Sequence, residues 1–350
     1  MINYKKLRIA YWPNSYKGLN EPGDRRRFFF YTDRKDIKFE LYDEKATYDI
    51  IILSQVADIT NLDYIKKQCS KVIYDFNNSY HLDDFFIKEK IRGIARFLTK
   101  KSKKLSLNYR QSMLEAIASV DAVICVSKEQ KDVLKKINPN IHCIPDMPNK
   151  EIINIKRDYN TNGPVKIVWE GLGNNVYQLN TLKAVFSNFK KNHDFVLHVI
   201  SDKYFFKFMN RFFKISSENI LKNLYSEIVF HEWNSETFSQ NIIKCDIALI
   251  PIDPKNTIAR GKPENKLILL WKMGMPTVTY NTVSYQRTMQ KAGLDYCCIN
   301  DEDWIKALHK LSSNYEHRRY AGVNGKVFAE KYYGEKVVID KWEKLLETVL

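Results

Sequence analysis

Three cations fall within seven residues of one stretch of the chain: Arg260, Lys262 and Lys266, in Arg-Gly-Lys-Pro-Glu-Asn-Lys. Arginine offers a two-pronged fork to phosphate or carboxylate, and lysine adds a point charge. Pro263 suits the first turn of a helix, so Arg260, Gly261, Lys262, Glu264, Asn265 and Lys266 are expected where a loop meets a helix amino terminus. The unpaired N–H groups and the dipole at such an end already favour an anion. A diphosphate is the natural guest; a solvated basic loop is the other reading of the same residues. A second candidate is Tyr-Asp-Phe-Asn-Asn-Ser-Tyr-His at 74–81, where Asp75 or His81 could take a proton at the end of a strand. His193 and His198 flank Asp194 but straddle a helix end and a strand, which is poor metal-ligand geometry, and no metal is expected. The chain has no Gly-x-Ser-x-Gly turn, Gly-x-Gly-x-x-Gly turn or Walker loop, which disfavours serine hydrolases, dinucleotide oxidoreductases and P-loop enzymes.

The elements that must position these groups alternate. Short β-branched runs are expected as strands near 7–12, 38–42, 48–53, 71–75, 121–126 and 141–144, with helices at 24–34, 60–68, 82–119 with a break, and 128–137. Turn formers and prolines then interrupt the pattern from 144 to 164. A second series starts at Val165 and places strands near 194–200, 226–231, 246–250, 276–279 and 295–298. Val337, Val338, Trp342, Leu345, Leu346 and Val349 then recur at helical spacing in a closing helix. Alternation of this kind predicts an α/β chain of two Rossmann-like, doubly wound domains whose sheets face a shared central cleft. The expected boundaries are 1–155 for a domain on the acceptor side of that cleft, 156–331 for a domain on the side of a phosphorylated donor, and 332–350 for a helix packing back on the first.

A length of 350 residues with 44% hydrophobic content suffices for two cores and excludes fibrous and disordered classes. The formal net charge of +15 attracts phosphates, nucleic acid or an anionic membrane without choosing among them. Six cysteines without a Cys-x-x-Cys pair fit a reducing compartment, and no apolar run reaches membrane-spanning length, so a cytoplasmic location is expected, peripheral at the inner membrane face if it touches lipid. Nine Lys or Arg against one Glu lie between Ile87 and Arg110, with Ile87, Ile91, Ile94, Phe97 and Leu98 at helical spacing. Either this helix meets an anionic membrane or its apolar stripe packs on the domain's own sheet. Nucleic-acid binding is the rival class, but no recognised motif for it is present, and no nucleic-acid partner is expected.

The stretch Lys-Leu-Ile-Leu-Leu-Trp-Lys-Met-Gly-Met-Pro-Thr resembles the second domain of GT-B glycosyltransferases, in particular glycosyltransferase family 4 and its relatives, whose helix reads Lys-x-x-Glu-x-x-Ala-x-Gly-x-Pro-Val. Lys266, Gly274 and Pro276 match, and Ile-Ala-Arg-Gly-Lys at 258–262 is similar to a Trp-Ala-Arg-Gly-Lys variant of the region. Val-Trp-Glu-Gly-Leu-Gly-Asn-Asn at 168–175 looks like the turn after the first donor-domain strand, which marks Gly171, Gly173 and Asn174 for the donor. The chain departs from the pattern where the family often carries two glutamates: Gly261 and Leu269 stand there, with Glu264 and Asn265 the nearest substitutes.

The resemblance implies transfer of a sugar, with retention, from a nucleotide-sugar donor to a surface glycan or lipid-linked acceptor. The donor is then a substrate, and no separate cofactor is expected. Arg260, Lys262 and Lys266 would stabilise the departing nucleoside diphosphate, with Asp75 or His81 on the acceptor side. The alternative is a basic membrane- or nucleic-acid-binding protein on the same fold without transferase activity.

Overall fold

The computed structural model describes residues 6–16, 18–19, 21–77, 86–148, 151–207 and 212–350. It divides into two compact units, one of residues 1–147 with 334–350 and one of residues 148–333.

The first unit holds a six-stranded parallel sheet. Its strands are β1 (Ile9–Trp12), β2 (Glu40–Leu41), β3 (Tyr48–Ser54), β4 (Cys69–Asp75), β5 (Ala122–Cys125) and β6 (Ile141–Cys143), in the order β2-β1-β3-β4-β5-β6. Successive side chains point to opposite faces, so Ile51 and Leu53 of β3 enter one core cluster while Ile50 and Ile52 enter another. That two-sided burial is why these strands read as continuous apolar runs. The closing helix Glu335–Val349 covers the second face: Trp342 stacks on Tyr31 at 5.6 Å and meets Phe28 at 5.7 Å.

The second unit repeats the plan with β7 (Val165–Glu170), β8 (Phe195–Ser201), β11 (Ile228–Glu232), β12 (Ile247–Ile250), β13 (Thr277–Tyr280) and β14 (Cys297–Cys298), between which a hairpin of β9 (Tyr204–Lys207) and β10 (Phe212–Ser216) is inserted. The sheet order is β11-β8-β7-β12-β13-β14. The winding reverses between β7 and β12, the place where open α/β sheets leave a crevice beyond their carboxyl ends.

Three local expectations need correction. The segment before residue 156, assigned by sequence to the first domain, belongs to the second unit. Asn154 N–H bonds the Ser239 hydroxyl, Lys156 N–H bonds the Met273 carbonyl, and the Lys156 amine reaches Ile243 O. The helix expected over 24–34 is two, Pro22–Arg25 and Phe28–Lys35. Asp24 within the first and Arg27 between the two turn inward and bury polar groups that a continuous surface helix would leave in water. Between the strands expected at 194–200 and 226–231, where no strand was expected, the aromatic run from Tyr204 forms the hairpin, with Tyr204, Phe206 and Phe213 exposed.

Candidate functional site

The loop leaving β7 at Glu170 and the loop leaving β12 at Ile250 both open at the reversal point of the second sheet. From β12 the chain passes through the short helix Thr257–Arg260 into the helix Asn265–Lys272, whose apolar residues Leu267 to Trp271 are buried against the sheet. Gly274, at φ +75°, ends that helix in the left-handed region that favours glycine.

Lys266 lies in the first turn of this helix and crosses to the other loop. Its Nζ donates to the Glu170 carbonyl at 2.5 Å and lies 3.5 Å from the Glu170 carboxylate and 5.1 Å from the centre of the Trp169 ring. Lys262 is solvent-exposed, but the protein packed around its ammonium, and secondarily the like charge of Lys266, lower its pKa from the ordinary lysine value. Its carbonyl accepts from the Ser284 hydroxyl at 3.0 Å, which fixes the loop at this point. The N-cap residue Glu264 makes no side-chain cap to the Asn265–Lys272 helix, so a cap does not occupy its first N–H groups.

The turn after β7 is held from several sides. Gly171 N–H bonds Ile200 O, and its carbonyl accepts from the Ser201 hydroxyl. Gly173 N–H bonds the Asp202 carboxylate at 2.8 Å. A Cβ at Gly173 would lie 2.7 Å from the Phe205 ring, so the hairpin closes over a position where only glycine fits. Asn174 is exposed at the start of the helical turns Gly173–Leu182.

The structure therefore brings Gly171 and Lys266 to one place, with Gly173 and Asn174 in the adjoining turn and Lys262 in the loop before the helix. Gly261 and Asn265 are half-buried beside them, and Arg260 is exposed at the end of its short helix. Glu264 is directed elsewhere. Only 4% exposed, it accepts from Arg287 at 3.0 Å and from the Tyr333 hydroxyl, while its Oε2 is buried without a hydrogen-bond partner. Sequence reasoning missed Glu170, Asp202 and Phe205, which hold the turn and the lysine. Their only signal was position, at the end of one strand or just past the end of another.

Asp75, expected to accept a proton, is instead a buried anchor in the first unit. Both its oxygens accept from Arg27 at 2.6 Å, and Arg27 also donates to Asp146 at 2.8 Å and to Ile144 O. Burial raises the Asp75 pKa, opposed by Arg27 and assisted by the neighbouring Asp146 and Asp24 carboxylates. The guanidinium loses solvation too, yet its carboxylate neighbours hold its pKa above the ordinary arginine value. At 1% exposure the Asp75 carboxylate is closed to an acceptor. Asp24 is also buried, accepting from Tyr11 OH, from Asn14 through its backbone N–H and its amide, and from Ser15 N–H. Arg27 therefore adds no surface charge. His81 lies outside the described residues. His193 pairs with His309 and His198 with His231, so neither joins the other in a ligand set.

Solved structures share this fold at low sequence identity. Sucrose-phosphate synthase from Thermosynechococcus elongatus matches 86% of the chain over 73% of its own, with a TM-score of 0.60 and 12% identity. The lipopolysaccharide outer core galactosyltransferase WaaB matches 97% of the chain over 99% of its own, at 0.57 and 12%. The fold is that of the GT-B glycosyltransferases. S. aureus TarM, solved in complex with UDP, has the same GT-B fold at a TM-score of 0.58 and 13% identity, and the present chain spans 55% of its length. No protein-family model and no curated protein matches the sequence.

Proposed function

We propose that the protein is a glycosyltransferase that binds a nucleoside-diphosphate sugar at the reversal point of its second sheet and passes the sugar to a surface glycan or lipid-linked acceptor. The observation that carries this reading is the meeting of Lys266 with the Glu170–Gly171 turn at the start of its helix, with Lys262 in the loop just before that helix. Lys262 and Lys266 oppose one another, and Glu170 offsets only one of the two charges. A diphosphate between them would relieve that repulsion while accepting the N–H groups of Asn265 and its neighbours.

Cleavage of a glycosyl–phosphate bond builds negative charge on the departing diphosphate. Fixed ammonium groups and backbone dipoles lower the barrier by stabilising that charge as it forms. Lys262 and Lys266 take this role, Arg260 adds a third, exposed cation from the end of its short helix, and Gly171, Gly173 and Asn174 let the backbone approach the phosphates closely. Retention at the anomeric carbon follows by analogy with the family. The UDP in the TarM complex and the lipopolysaccharide acceptor in the name of WaaB support a nucleotide-sugar donor and a cell-surface acceptor.

A thermal-unfolding panel with UDP, GDP, ADP and CMP tests the reading. One nucleoside diphosphate should stabilise the chain, by about 2.7 kcal/mol at 100 times its dissociation constant, and CMP should not. Absence of any shift with all three diphosphates would defeat it.

A further inference from the structure

We propose that the helix Phe86–Leu98 and the segment after it form a docking surface for an anionic lipid bilayer, independent of the transfer reaction. The helix is amphipathic with its apolar side turned outward. Among its described positions Gly93 is buried, and Arg96 reaches toward the protein, donating to Val56 O at 2.9 Å and Ala57 O at 3.0 Å with its guanidinium 5.0 Å from the Tyr109 ring centre. Ile91, Ile94, Phe97 and Leu98 face away, Ile91 being 61% and Leu98 72% exposed. The expected alternative, an apolar stripe packed on the sheet, is thus reversed for these residues.

The following segment enlarges the patch. A Cβ at Gly93 would fall 1.7 Å from the Ser106 carbonyl, so this glycine is what lets the segment lie directly on the helix. Leu105 and Leu107, on either side of that contact, are 50% and 54% exposed and continue the apolar surface. Isolated exposed apolar residues are ordinary, whereas a contiguous group rimmed by charge marks an interaction surface.

The rim identifies the occupant. Lys100, Lys101 and Lys104 are all exposed beside the patch. A second copy of the chain meeting this face two-fold would set these cations against one another, which costs association energy. An anionic leaflet neutralises them while the apolar side chains enter the headgroup boundary. Among the described residues no helix is long and apolar enough to cross a membrane, which fits a helix lying in the interface plane.

The full chain, without nucleotide, is sedimented with vesicles of phosphatidylcholine alone and with vesicles containing about a third phosphatidylglycerol. Binding to the anionic vesicles should exceed binding to the neutral ones about tenfold or more, and Ile94→Asp with Leu98→Asp should abolish it. Lys100→Ser with Lys101→Ser, which leaves the apolar face intact, should weaken it and flatten its dependence on salt. Equal binding to both vesicle types, or unchanged binding by the aspartate variant, would overturn the proposal. So would a wild-type dimer in light scattering that the aspartate variant dissolves. Nucleotide binding should persist in both variants. If no nucleotide binds but the anionic vesicles do, the transfer reading falls and this one stands.

Discussion

Replacing Lys266 by methionine removes the ammonium and keeps a stem of similar length over Trp169. The charge sits 3.5 Å from one Glu170 oxygen and its side chain is 25% exposed, so solvent and Glu170 both dilute what it offers a diphosphate. A hydrogen bond to a charged group contributes about 1.5–3 kcal/mol, and this setting argues for the lower part of that range. A loss of about 1.5–2 kcal/mol weakens binding roughly 10- to 30-fold. Titration calorimetry with the tightest-binding nucleoside diphosphate measures it. In thermal unfolding, at a ligand level giving wild type about 2.7 kcal/mol, the variant should gain about 0.8–1.4 kcal/mol. Glu170→Gln should act in the opposite sense, freeing Lys266 from its competitor and tightening binding several-fold. An unchanged dissociation constant in Lys266→Met would refute the reasoning. A Glu170→Gln variant weakened as much as Lys266→Met would do so too, because Glu170 would then be a ligand contact.

Gly173→Ala should destabilise the second unit by about 1–3 kcal/mol in urea unfolding, since its Cβ meets the Phe205 ring at 2.7 Å; adding Phe205→Ala should recover part of the loss. Arg27→Met should cost about 3–5 kcal/mol by leaving the buried Asp75 uncompensated, and Arg27→Met with Asp75→Leu should be closer to wild type than the single variant. His198 is held down to about 4, chiefly by burial and then by His231 and Lys166. Its native state therefore resists the proton that the unfolded chain accepts near 6.5. Stability should be full above that value and fall as pH drops toward about 4, and a pH series of urea midpoints should show a shallower acid limb for His198→Val.

Much of the fold was legible because its signals are local. Strands buried on both faces appear as apolar runs, and the Trp342 helix appears as a 3.6-residue period. Lys266 was legible for the same reason: a strand, a polar loop, Pro263 and an apolar helix follow one another within 30 residues of sequence. Pairings across long separations left no such trace. Arg27 and Asp75 are 48 residues apart and Lys266 and Glu170 96, so whether a carboxylate is a base or an anchor was invisible. Glu264 was assigned to the ligand by position alone, whereas Arg287 and Tyr333 hold it inward. Periodicity located the apolar stripe of the Phe86–Leu98 helix without fixing its direction, which Gly93 and Arg96 decide through contacts with Ser106, Val56 and Ala57. The hairpin escaped notice because an aromatic run with lysines satisfies strand, helix and core patterns alike.

Hydrogen exchange of the intact chain, with and without a saturating nucleoside diphosphate, addresses the central assignment at the level of individual segments. Protection should concentrate in the peptides covering 170–175 and 260–268, with β1 to β6 unaffected. Protection confined to other segments, with both of these exchanging as in the free protein, would contradict it.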